Sequence, residues 1–268
     1  MAASGGELIY SSYLGGAGTE GATEVRFDSS GHVYVTGSTT SSDFPAVNAV
    51  QARYGGNADG FLAKLKESDL SMVYSTFLGG SGSEACFALA LDAAGNALVV
   101  GFTESDNFPT VSALQSARAG ARDAFLTKLD PAGALIYSTY LGGTGAENIV
   151  AGAFDASGDA LVAGWTNSSD FPTVHPVQSQ NGGASDAFLT RINPAGTQLL
   201  FSTYLGGSGT DQALGLALDR TGNAYLTGQV MSQNFATKGA FQVTYAGQGD
   251  TFVAKIGFGA APVSPLAA

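Results

Sequence analysis

The heptapeptide YSSYLGG at residues 10–16 returns three times along the chain, and this recurrence decides the fold. YSTFLGG begins at Tyr74, YSTYLGG at Tyr137 and FSTYLGG at Phe201, so the copies lie 64, 63 and 64 residues apart. A motif that recurs at a fixed spacing of this order is typical of proteins built from repeated structural units. The four units can therefore be aligned with one another.

Each unit contains the same further motifs in the same order. In the second unit an acid follows LGG after one more glycine, and an apolar stretch then ends in the turn LDAAGN at residues 91–96. A second apolar stretch leads into an insertion of about 20 residues that carries DNFPTV at residues 106–111. The unit closes with DAFLTKL at residues 123–129, and seven residues separate it from the next copy of the heptapeptide, which begins at Tyr137.

Alternation within the apolar stretches predicts strands. Bulky side chains at Phe87, Leu89 and Leu91 alternate with small ones, which gives a strand one bulky face and one small face. The Asp-x-x-Gly turns are typical of hairpins, because glycine accepts positive φ and the aspartate can bond the turn amides. Four strands per unit, repeated four times, predict an all-β, four-bladed β-propeller with four antiparallel strands in each blade.

The two ends of the chain are expected to close the ring. Residues 8–14 hold a copy of the last strand before any complete unit, whereas the fourth unit ends at residues 250–256 without that strand. We expect the N-terminal copy to pair with the fourth blade, because closure removes exposed sheet edges. A monomer is then expected, although two chains could instead form an eight-bladed ring.

The predicted domain organisation follows from this closure. It has an N-terminal extension at residues 1–7, one propeller domain of four repeats at residues 8–256, and a C-terminal linker or tail at residues 257–268.

The units resemble the SBBP-type β-propeller repeat of bacterial proteins. The resemblance covers residues 8–256 and rests on YSTYLGG, the Asp-x-x-Gly-Asn turn, SDFPTV and DAFLTKL. It implies a secreted or cell-surface protein, and it implies no particular activity. The fourth unit departs from the pattern at Ala236, where the other units have proline.

Composition excludes several classes of partner. The 268 residues include 11 basic and 22 acidic side chains for a net charge of −11, without a basic run, which argues against nucleic acid. No apolar run is long enough to span a bilayer, so membrane insertion is not expected, and the first residues lack the pattern of a signal peptide. Cys86 is the only cysteine, so neither a disulfide nor a cysteine metal cluster is expected.

An acid at the start of each unit is the first candidate for chemistry. The four acids are Glu20, Glu84, Glu147 and Asp211. In a propeller they would follow the crossover between blades, near the central axis. They could bond amides of their own loops, bind a structural cation with calcium as the expected ion, or act as catalytic carboxylates on a polysaccharide. Four equivalent acids lack the asymmetry of a glycosidase pair, and no catalytic triad is found, so an enzyme is not expected.

Two further sets of side chains complete the candidates. Basic residues such as Lys128 recur five positions after the aspartate that opens the third strand, and we expect them to be solvated or to pair with a neighbouring blade. Phe102 and Trp165 end the second strands of their units, where they could stack on sugar rings or pack into the core.

The sequence thus predicts a non-catalytic extracellular scaffold or interaction module whose partner is a protein or glycan at the cell surface. The first alternative is a carbohydrate-binding, lectin-like propeller. The second is a polysaccharide-active enzyme that uses the axial carboxylates.

Overall fold

Four antiparallel sheets follow one another along the chain in a computed structural model that describes residues 6–258. Sheet 1 contains β1 (Glu20–Phe27), β2 (His32–Thr39), β3 (Asp59–Lys66) and β4 (Met72–Leu78). Sheet 2 contains β5 (Glu84–Leu91), β6 (Ala97–Thr103), β7 (Asp123–Leu129) and β8 (Leu135–Leu141). Sheet 3 contains β9 (Glu147–Phe154), β10 (Ala160–Thr166), β11 (Asp186–Ile192) and β12 (Leu199–Leu205). Sheet 4 contains β13 (Asp211–Leu218), β14 (Ala224–Val230) and β15 (Asp250–Ile256).

Every sheet is a meander whose first hairpin is built on the predicted aspartate turn. In sheet 2 the carboxylate of Asp92 accepts hydrogen bonds from the amides of Ala94 and Asn96 at 3.0 and 2.9 Å. Gly95 in this turn has a φ of 81°, a conformation that favours glycine. The propeller-like, all-β fold predicted from the sequence is therefore present, and no helix among residues 6–258 could cross a membrane.

The hydrophobic core lies between successive sheets. We call the face of a sheet that packs on the next sheet its trailing face, and the face that packs on the preceding sheet its leading face. Leu62 and Tyr74 on the trailing face of sheet 1 pack with Leu89 and Val99 on the leading face of sheet 2. The same packing joins sheet 2 to sheet 3 and sheet 3 to sheet 4.

The predicted closure of the ring is not confirmed. Residues 8–14 form no strand, and sheet 4 has three strands, so residues 6–258 contain 15 strands rather than the 16 expected. Sheet 4 packs on sheet 3, and Val253 of β15 stays exposed. Residues 1–5 of the predicted extension and residues 259–268 of the predicted tail lie outside the described part of the chain.

One glycine in each second strand permits the first hairpin of the sheet. A side chain at Gly101 would overlap the carbonyl of Ala85 on the neighbouring strand. The pairing of β5 with β6 shifts register next to this point, between Cys86 and Ala88, which is where a β-bulge bends the strand. The equivalent glycines are Gly37, Gly164 and Gly228.

We predict that Gly101→Ala destabilises the protein by about 1–3 kcal/mol or more, because backbone atoms cannot yield to the added methyl group as a side chain could. Gly21→Ala is the control, since a methyl group there meets no atom within 4 Å. Urea unfolding of both variants measures the effect. Equal losses of stability in the two variants would show that the close approach at Gly101 is unimportant.

Candidate functional site

A buried carboxylate holds each crossover between sheets. Glu84 begins β5, and its side chain accepts hydrogen bonds from the amide of Gly80 at 2.9 Å, from the Thr103 hydroxyl at 2.6 Å and from the Ser105 hydroxyl at 2.5 Å. Glu147 begins β9 and makes the equivalent bonds. Asp211 begins β13 and accepts from the amides of Gly207 and Met231 and from the Ser232 hydroxyl, because valine stands in sheet 4 where the other sheets have threonine. These three acids are buried, so their carboxylates serve the crossover loops.

A second carboxylate lies on the other side of the same crossover. Asp59 accepts from the amide of Gly55 at 2.8 Å and from the side-chain amide of Gln51 at 3.2 Å. The side-chain oxygen Oε1 of Gln51 in turn accepts from the backbone amide of Gly79 at 3.1 Å. A side chain at Gly79 would strike the carboxylates of both Asp59 and Glu84, so the crossover glycine separates the two acids. Asp123 and Asp186 occupy the same position in sheets 2 and 3.

Burial shifts the protonation of these acid pairs. Burial raises the pKa of Glu147 to about 7, against hydrogen bonds from Ser168 and Thr166 that lower it. Burial also raises the pKa of Asp59 to about 6, with the charge of Glu84 as a smaller cause. One oxygen of Asp59 is buried without a hydrogen-bond partner, as is one oxygen of Asp186. A proton retained by one acid of a pair relieves the cost of burying two negative charges.

The four acids predicted at the tunnel mouth are not brought together. Among residues 6–258 no group of three or more His, Cys, Asp or Glu side chains is arranged to hold a metal ion. Glu20, Glu84, Glu147 and Asp211 each turn back to their own crossover, which is the first of the three roles considered for them. The expected ring of carboxylates is absent because hydroxyl and amide donors hold every one of them in its own loop.

An ion pair, missed by the sequence analysis, joins the third strand of each sheet to the first turn of that sheet, and in sheet 2 it is buried. The ammonium of Lys128 on β7 lies 3.1 Å from the carboxylate of Asp92, and 4% of the lysine side chain is exposed. Arg191 pairs with Asp155 at 2.6 Å in the same way. Lys128 is not solvated, because antiparallel pairing brings its strand beside the turn of its own sheet. The inter-blade alternative is confirmed in part, since the Lys128 ammonium also lies 4.6 Å from the ring centroid of Phe154 on β9 of sheet 3. The recurring Asp-to-Lys spacing was the available signal.

The two candidate sugar-binding aromatics differ in their surroundings. Phe102 is half-buried, with the Phe87 ring centroid 5.7 Å from its own and the guanidinium of Arg122 lying 4.1 Å from its ring centroid. Trp165 is also half-buried, and within the described part of the chain it has no aromatic or cationic stacking partner. Trp165 is therefore the more available of the two for a ligand.

The cavities lie away from these side chains. A cleft of about 680 Å³ separates Ile9 and Tyr10 of the N-terminal segment from Lys66 and Glu67 at the β3–β4 turn. A smaller cavity of about 130 Å³ lies between sheets 1 and 2, beside Val50 and Phe108. Neither is lined by a crossover carboxylate pair or by Trp165.

The meanders, the aspartate turns and the crossover motif together define a protein of propeller-type repeats. Residues 200–234 match the SBBP beta-propeller repeat family, which confirms for this stretch the repeat resemblance stated from the sequence. A comparison with curated proteins gives no match.

A solved structure of the Pyrococcus horikoshii acylaminoacyl peptidase (orthorhombic crystal form) is similar with a TM-score of 0.41 and 9% identity. The likeness covers 78% of this chain and 28% of the peptidase, so the chain spans little more than a quarter of that protein. At this level of similarity nothing follows about activity.

We predict that the melting temperature falls as the pH rises from about 4.5 to about 7. Glu147 has a folded pKa of about 7 and an ordinary value of 4.5, so its contribution is fully present below 4.5 and is lost as the pH rises through 7. The change amounts to about 3 kcal/mol at most. Calorimetry should show a shallower pH dependence for Glu147→Gln, whereas the exposed control Glu67→Gln should follow the parent. Parallel profiles for all three proteins would contradict the assignment.

We also predict that Lys128→Ala costs about 3–5 kcal/mol, because it leaves the carboxylate of Asp92 without its buried partner. Lys255→Ala removes the equivalent pair in sheet 4, where half of the lysine side chain is exposed and water screens the charges, and should cost much less. Urea unfolding distinguishes the two variants. A Lys128 variant no less stable than the Lys255 variant would refute the role of the buried pair.

Proposed function

We propose that this chain is a non-catalytic interaction module of a secreted or cell-surface bacterial protein. The observation that carries the proposal is the use of the recurring acids as loop fasteners: Glu84, Glu147 and Asp211 are buried and hydrogen-bonded within their own crossovers. A catalytic carboxylate must reach a substrate, and these carboxylates have their oxygens directed at hydroxyls and amides of the scaffold.

The insertions between the second and third strands are the proposed contact surface. In sheet 2 the amide of Phe108 donates to the Tyr140 hydroxyl at 2.9 Å, and Val111 exchanges backbone hydrogen bonds with Ser138 on β8. These fixed points recur in sheet 3, while most of the residues that follow them, at 112–122 in sheet 2 and 175–185 in sheet 3, differ from unit to unit. Variable segments on a rigid scaffold are the usual carriers of binding, and a protein or glycan at the cell surface is the partner proposed.

Carbohydrate binding is the second candidate, and the partly exposed Trp165, which lacks an aromatic or cationic stacking partner in the described part of the chain, is the observation that favours it. An aromatic ring without a stacking partner can accept the apolar face of a sugar. Phe102 is the weaker contact, because Arg122 already lies over its ring and is itself paired with Glu104.

We predict that, if the partner is a glycan, Trp165→Ala weakens binding by about tenfold through loss of stacking. Gln229→Ala is the matched control, since Gln229 occupies the same position on β14, and it should bind as the parent does. A glycan array followed by titration calorimetry measures both. Glycan binding that is equal in all three proteins would remove Trp165 from the site, and binding to protein ligands alone would leave the first candidate.

An assay for released reducing sugar on the same glycans tests the absence of catalysis. The proposal of a non-catalytic module would be overturned if the parent released reducing sugar above background and Glu147→Gln abolished this release. Circular dichroism must show that the variant keeps its fold.

A further inference from the structure

The trailing face of sheet 4 is bare, although the same face of every other sheet is covered. Val253 on β15 is 71% exposed, whereas its counterparts are fully buried under the next sheet. Those counterparts are Leu62, Leu126 and Leu189. Tyr225 on β14 is 36% exposed, and Leu98 at the same position of sheet 2 is fully buried. Sheet 4 thus presents a surface of the kind that elsewhere receives another sheet.

The leading face of sheet 1 is the complement of that surface. Val25 on β1 is 48% exposed, while Leu89 at the same position of sheet 2 is fully buried against sheet 1. Phe27 on the same strand is 61% exposed. Because trailing faces pack on leading faces at all three internal junctions, these two bare faces fit each other by the repetition of the units.

Residues 8–14 are the unused fourth strand of a sheet. Tyr13 is fully exposed, whereas Tyr140 and Tyr204 at its position are fully buried. The hydroxyl of Tyr140 accepts from the amide of Phe108, and Phe235 is the corresponding residue in sheet 4. Among the described residues β15 pairs with β14 alone, so its other edge is open. Residues 8–14 could therefore serve as the fourth strand that the open edge of β15 lacks.

The N-terminal segment already lies where the last strand of a preceding sheet would lie. The amide of Ala17 donates to Asp43 at 2.8 Å, as Ser81 donates to Asn107 at the crossover into sheet 2. Ile9 and Tyr10 line the 680 Å³ cleft beside the β3–β4 turn of sheet 1. At the next junction, Tyr74 of sheet 1 meets Gly133 in the β7–β8 turn of sheet 2 in the same arrangement. The outer strand of a preceding sheet is thus in position, while the other three strands of such a sheet are missing beside sheet 1 in the described part of the chain.

We propose that a second copy of this chain supplies these three missing strands. Sheet 4 of one copy packs its trailing face on the leading face of sheet 1 of the other, and residues 8–14 of that other copy pair with β15 as the fourth strand. The contact is head-to-tail, and when it is made twice it closes a ring of two chains. Two chains give eight sheets, within the four to eight blades of known propellers, whereas three chains would exceed that range.

The register of the new pair follows from the repeats. In sheet 3 the third and fourth strands pair Leu189 with Thr203 and Phe188 with Tyr204. By the same register Val253 of one copy lies opposite Ser12 of the other, and Phe252 lies opposite Tyr13. This positions the hydroxyl of Tyr13 to accept from the amide of Phe235, as its counterparts do.

Light scattering on the full chain tests the assembly. The expected mass is twice the 27.0 kDa of one chain. Val253→Glu should give a folded monomer, because the side chain is exposed in the single chain and would place an unpaired charge in the interface. Val177→Glu is the control, since Val177 is also exposed, at 69%, but lies in the sheet 3 insertion, and it should stay dimeric. A monomer at all concentrations, or assemblies larger than two chains, would overturn the proposal.

Cysteine pairing distinguishes the second copy from closure within one chain. Ser12→Cys and Val253→Cys chains are prepared separately, mixed and oxidised, and Cys86 is buried in both. The mixture should give a covalent dimer that contains one chain of each kind, while neither variant alone should cross-link. If the double variant instead gives an internal disulfide in a monomer, the ring closes on itself and the proposal fails.

Discussion

The fold depends on one polar arrangement, the carboxylate that gathers the amides and hydroxyls of each crossover. A chain that leaves the outer strand of one sheet and enters the inner strand of the next must expose several amides in a short glycine-rich turn. Glu84 accepts from three donors there, and its partner Asp59 receives the amides on the other side. Buried amides without acceptors would cost about 1–3 kcal/mol each, so the acid is a condition of the crossover.

The same arrangement explains why acids are tolerated in so buried a place. The two carboxylates of a crossover lie on either side of one glycine and would repel each other if both were ionised. One acid of such a pair has a pKa raised toward neutrality by burial at two crossovers, namely Asp59 at the first and Glu147 at the second. The hydroxyl and amide donors then orient the carboxylates without demanding two full charges. The crossover gains a fixed geometry, and the packing of one sheet on the next follows from it.

Local features of the fold could be predicted from the sequence, and long-range ones could not. Alternation at residues 86–91 and the Asp92 turn predicted the hairpins, because strand period and turn chemistry are properties of neighbouring residues. The pairing of Lys128 with Asp92 depends on the register between strands, which periodicity does not contain. Closure stays a prediction, because it depends on the angle between sheets, summed over three junctions. The recurrence of the acids singled them out in the sequence. Whether the four of them meet at a common axis depends on the same angle between sheets, which the sequence does not contain.

The offset between the sequence unit and the sheet affects how such a chain can lengthen in evolution. Each unit begins with the outermost strand of the sheet before it, so tandem duplication of a gene segment inserts both a crossover and the strand that completes its neighbour. An added unit meets compatible surfaces on both sides, and the termini keep the same complementary character whatever the number of copies. Array length can thus change by whole units, each of which adds one further junction of the same kind.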